Sequence, residues 1–140
     1  MSTTATPLRP TARSVDEILS YELDRLLERF VADHGGTLED AAERFESLKQ
    51  FMTVCAIKPG IKVASDEIDQ MWHTFLLFTI QYRDFCENWL GFFVEHEPFE
   101  EARPEYYAIT RDFAEELFGE LDPRYWPAEG KADCTSGCGT

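Results

Sequence analysis

Residues 66–98 read DEIDQMWHTFLLFTIQYRDFCENWLGFFVEHEP, and their spacing decides the fold. Ile68, Trp72, Phe75, Thr79, Tyr82, Cys86 and Trp89 trace one helical stripe, and Leu76, Leu77, Ile80 and Phe85 widen it. A helix apolar over so much of its circumference belongs at the centre of a bundle. Ser65 suits its N-cap, Asp66, Glu67 and Asp69 suit its positive N-terminal end, and Gly91 suits its stop.

Other helices flank this one. Ser14-Val15-Asp16-Glu17 is a capping box, and Val15, Ile18, Leu19, Leu23, Leu26, Leu27 and Phe30 follow at helical spacing until Gly35-Gly36. Thr37 caps a second helix whose apolar face runs from Leu38 through Phe45, Leu48 and Met52 to Cys55, which reads as a buried small hydrophobe. Lys58-Pro59-Gly60 is a turn, residues 61–64 suit an extended segment, and Pro104 opens a last helix that Asp122-Pro123 stops. The sum is an all-α compact bundle of about four helices, with a long central helix and disordered termini. It divides into a disordered arm over residues 1–13, a helical domain over 14–127 and a flexible cysteine-containing tail over 128–140.

The formal net charge of −14 repels phosphate backbones and anionic membranes, so neither nucleic acid nor a membrane is an expected partner. The opening residues carry no apolar run and no window reaches the roughly 18 apolar residues of a membrane span. The cytoplasm is therefore the expected compartment, where the four cysteines should be thiols or metal ligands rather than structural disulfides.

Two features could carry chemistry. Asp69 and His73 stand four apart on one helical face, so the carboxylate can orient the imidazole or both can ligate one ion. His96 can join them only under a geometric condition. A continuous helix from His73 to Leu90 climbs about 25 Å, and the six residues from Leu90 to His96 return at most about 20 Å. The connector must double straight back, or the helix must break near Thr79. Cys86 lies roughly 20 Å along a continuous helix from His73 and reads as core. Cys134 and Cys138 form C-x-x-x-C, which could clamp a soft ion, swing onto a histidine site or close a small redox disulfide.

The run Asp69-Gln70-Met71-Trp72-His73, followed by Tyr82, Gly91 and His96, resembles the glycine-rich domain-containing protein-like family. Thr79, Phe85-Cys86, His96-Glu97-Pro98 and the C-terminal cysteine pair are similar to its bacterial members. The resemblance implies no established enzymatic activity for that type, and the RNA binding linked to plant members belongs to segments this chain lacks. The plant pattern often has a second histidine two places after the first, where this chain has Phe75. What the resemblance implies is a shared polar site made of Asp69, His73 and His96.

The first expectation is thus a small metal-binding protein. Asp69, His73 and His96 would be ligands or their support, and Cys134 and Cys138 would add ligands from the tail. Zinc is the expected ion for such a mixed set, with iron or copper as alternatives. An open coordination position would permit hydrolytic or redox chemistry. The alternatives are a non-catalytic module that binds a protein partner, with the Trp-His motif structural, and a carrier of a cysteine-containing tail modified by another enzyme.

Overall fold

The computed structural model describes residues 8–128 and 136–138. Six helices form the body: α1 (Val15–Leu19), α2 (Asp24–His34), α3 (Leu38–Ile57), α4 (Asp66–Leu76), α5 (Thr79–Asp84) and α6 (Pro104–Phe118). A π-helical segment, Phe85–Leu90, continues α5. Three short strands complete the fold: β1 (Lys62–Val63), β2 (Glu97–Pro98) and β3 (Ser136–Cys138). The fold is helical as expected, with a small sheet added.

Local chemistry sets most boundaries. Ser14 and Glu17 close the capping box reciprocally, Thr37 accepts from the Asp40 N–H, and Ser65 accepts from the Ile68 N–H. Gly91 leaves the π-helical segment with φ +79°, its N–H returning to the Cys86 carbonyl. Pro104 opens α6 where its missing N–H costs nothing.

The two long helices expected from the periodicity are each broken in two. The first breaks after Leu19. The buried Lys49 ammonium donates to the Leu19 and Tyr21 carbonyls at 2.6 and 2.8 Å, satisfying groups that a continuous helix would have paired internally. Tyr21 then turns inward among Phe45, Phe75, Phe85 and Trp89. The second breaks at Leu77-Phe78, whose amides bond three residues back, to Thr74 and Phe75, before α5 restarts. Neither break contains glycine or proline.

The hub of the bundle is α3 rather than the 66–90 stretch. Twelve of its 20 residues are buried, including every residue from Phe51 to Ile57. It packs against α1, α2, α4, α6 and the π-helical segment. Residues 8–13, expected in a disordered arm, lie along the body. The Ala12 N–H donates to Leu90, Arg9 N–H to Ile57, and the Arg13 guanidinium sits 3.7 Å over the Trp89 ring.

Of the tail, residues 128 and 136–138 are described. Residues 136–138 form the middle strand of a sheet ordered β1-β3-β2, antiparallel on both sides. Gly137 faces Val63 on one side and Glu97 on the other. Cys138 is bonded to Cys55 of α3, contradicting the expectation of free thiols. A Cβ at Gly137 would run into the Lys62 carbonyl and lie 2.9 Å from the Val63 Cα. Gly137→Ala should therefore cost about 1–3 kcal/mol through overpacking, read as a lowered midpoint in urea unfolding. An unchanged midpoint would mean that β3 does not seat as described.

Candidate metal centre

Asp69 and His73 leave one face of α4, as their spacing requires, with His73 in the last turn. His96 arrives from the connector between the π-helical segment and β2. The break at Leu77-Phe78 supplies what the geometric argument demanded: the chain turns, α5 packs on α4, and the connector needs no 25 Å return.

The connector is pinned by one hydrogen-bonded chain. The buried Trp72 indole N–H donates to the Tyr82 hydroxyl at 3.0 Å, and that hydroxyl donates to the Val94 carbonyl at 2.5 Å. Burial pushes the Tyr82 pKa well upward, so the phenol keeps the proton this chain needs. Two residues on, the His96 ring stands edge-on to the Trp72 ring, with centroids 4.5 Å apart. Trp72, which the sequence places on the buried stripe, is thus the floor beneath His96.

Three donors converge. His96 Nε2 lies 2.9 Å from Asp69 Oδ1, and His73 Nε2 lies 3.4 Å from Asp69 Oδ2. One carboxylate thus presents one oxygen to each imidazole. The ligand atoms of all three lie within 4.8 Å of one another. His73 is the exposed member at 57% of its side chain, while Asp69 and His96 are mostly covered at 19% and 14%. The site is therefore open on the His73 side and walled by Trp72 on the other. Asp66 and Glu67 in the first turn of α4, with Glu95 and Glu97 flanking His96, add negative charge that favours a cation.

Among the described residues no cysteine joins the three donors. Cys138 is 2% exposed and engaged with Cys55, so it presents no free thiol. Cys134 lies outside the described residues. Cys86 is fully buried on the stripe, and burial pushes its thiol up to about 11, which leaves it protonated and a poor ligand. Cys55 as the partner of Cys138 is the residue that sequence reasoning missed. Its only signal was a cysteine at the buried end of α3, and nothing local distinguishes that from core.

A cleft of about 480 Å³ contains none of the three donors; Phe30, His34, Asp40, Arg44, Gln70 and Arg124 are among its lining residues. Its cations are already engaged. Arg124 pairs with Asp40, Glu43 and Asp122, and Arg44 donates to the Glu67 carbonyl.

Among the described residues no helix is long and apolar enough to cross a membrane. A family profile described as UCP032817-like matches residues 13–109, which takes in α1 to β2 and all three donors. No curated protein and no solved structure matches the chain.

Proposed function

We propose that this chain, which belongs to the UCP032817-like family, is a metal-binding protein whose ion is held by Asp69, His73 and His96. The observation that carries the reading is the convergence of three ligand atoms from two distant segments within 4.8 Å. Zinc bonds of 2.0–2.1 Å put neighbouring tetrahedral ligands about 3.3 Å apart. The 3.4 Å from His73 and the 2.9 Å from His96 run to different oxygens of Asp69, and the three ligand atoms spread over as much as 4.8 Å, so the side chains would draw together around an ion by rotamer adjustment. An ion would take the place of the proton shared in the Asp69–His96 hydrogen bond.

Three protein ligands leave a fourth position free, on the exposed His73 side, for water or a small ligand. Two histidines and one carboxylate also suit ferrous iron, which is the alternative ion. The resemblance of the Asp-x-x-Trp-His and His-x-Pro pattern to the glycine-rich domain-containing protein-like family supports a site common to relatives.

The test is elemental analysis of untagged protein as wild type, Asp69→Asn, His73→Ala and His96→Ala, after loading with zinc or ferrous iron and gel filtration. Wild type should carry close to one ion per chain, and each variant should lose at least tenfold in affinity. No retained ion in wild type would sink the reading. A second reading, a protein-interaction module, is favoured by the exposed Leu77, Ile80 and Phe93, at 58%, 75% and 47%. It gains if wild type holds no ion and a partner's binding is lost in Ile80→Ser.

A further inference from the structure

The disulfide and the three donors are joined by one strand. Cys138 in β3 is bonded to Cys55 in α3, and the next residue back, Gly137, pairs with Glu97. Glu97 is the neighbour of His96. β1 and β2 do not pair with each other; β3 alone connects them. Without β3, therefore, β2 has no strand partner, and the His96 connector loses its support on that side. The Val94 carbonyl bond to Tyr82, the Trp72 and His73 ring contacts and the Asp69 carboxylate would still hold His96, with the backbone of its connector freed on one side.

Resting on the metal-binding reading, we infer that the Cys55–Cys138 disulfide regulates the Asp69–His73–His96 site, holding His96 in place when closed and loosening it when reduced. The step balances with an external dithiol as reductant. Its thiolate attacks one sulfur of the pair, the S–S bond breaks, and a mixed disulfide forms. The second thiol of the reductant then displaces the remaining sulfur. Two electrons and two protons pass to Cys55 and Cys138, and the dithiol leaves as its own disulfide. Both cysteines are almost fully buried, at 1% and 2% exposure. Attack thus requires β3 to lift first, and a three-residue strand is the kind of unit that opens locally. Once reduced, β3 loses its covalent tie and is retained by its backbone bonds and its packing against α4, and β2 is freed whenever it leaves.

The coupling is specific to β3. The Trp72–Tyr82–Val94 hydrogen-bonded chain includes no atom of β3 or of either cysteine, so His96 is loosened rather than released. The expected effect is the tenfold or greater loss of affinity seen when a ligand loses an orienting partner.

The test uses the full chain carrying Cys134→Ser, so that only one pairing can form. Zinc affinity is measured by competition with a coloured chelator, before and after reduction with a phosphine, and again after reoxidation. Reduction should weaken binding at least tenfold, and reoxidation should restore it. Cys55→Ala/Cys138→Ala should behave like the reduced protein and cannot ligate zinc through new thiolates. If that variant does not fold, the reduced protein is instead compared with reduced His73→Ala, which isolates any thiolate-bound zinc. Amide hydrogen exchange at Val94, Glu95 and Glu97 should accelerate on reduction while Trp72 stays protected. Equal affinity in both redox states overturns the regulation and leaves the metal reading intact. No zinc binding by the oxidised protein overturns both. Global unfolding on reduction, by circular dichroism at the assay temperature, overturns the disulfide as a local device.

Discussion

Trp72→Ala is expected to destabilise the protein by about 3–5 kcal/mol. The side chain is fully buried, its ring packs edge-on against Phe51 at 5.2 Å and against His96 at 4.5 Å. Truncation opens a large cavity between α3 and α4 and removes the donor that holds the Tyr82 hydroxyl in line with Val94. The loss should appear as a lower midpoint in urea at an unchanged slope. A second variant separates packing from positioning. Trp72→Phe keeps an aromatic ring but lacks the indole N–H, so it should cost about 1–2 kcal/mol for the unmade hydrogen bond. It should also weaken metal binding, because the Tyr82–Val94 link that carries the His96 connector is slackened. A Trp72→Ala protein as stable as wild type would mean that the indole is not the floor of the site.

Reducing the Cys55–Cys138 disulfide is expected to cost about 4 kcal/mol, from the chain entropy released when so long a loop is no longer closed. The two cysteines are 83 residues apart, so most of the chain lies inside that loop. For a domain of this size the melting temperature should fall by about 10–15 °C. The reduced protein should remain folded at room temperature, because α3 and its neighbours still form one continuous core, and stabilities of about 5–15 kcal/mol are usual. Cys55→Ala/Cys138→Ala should fall by a similar amount. A melting temperature unchanged by reduction would place the pairing outside the folded ensemble.

The features legible in the sequence are those decided within one turn of backbone. Ser14, Thr37 and Ser65 read as caps because a side-chain oxygen can reach an orphan N–H two or three residues on, and each does so. Gly91 and Pro104 read as a stop and a start for equally local reasons. The breaks after Leu19 and at Leu77-Phe78 were not legible, since neither carries a breaking residue. The first is held by Lys49, nearly 30 residues away, and the second by Tyr82 folding back onto Trp72 and Phe75.

The candidate site was legible in part for the same reason. Asp69 and His73 share a face by helical spacing alone. His96 could be admitted only on condition of a fold-back or a break near Thr79, and the break lies two residues before it. The pairing of Cys138 with Cys55 had no local signature, and Ser136-Gly137-Cys138 has little strand propensity of its own. That strand exists because Gly137 can lie against the Lys62 carbonyl where a side chain cannot. The expectation of free thiols rested on compartment, an argument that tertiary contact overrides.

The central claim is that two histidines and Asp69 hold one ion, and the histidine side chains can be observed one by one. Long-range proton–nitrogen spectra of the imidazoles should be followed while zinc is added to the oxidised protein. His73 and His96 should both shift at Nε2 and saturate at one equivalent. His34, which sits beside Phe30 at the end of α2, should not move. Ring signals of His73 and His96 that stay unchanged through excess zinc, or that move no more than those of His34, would contradict the account.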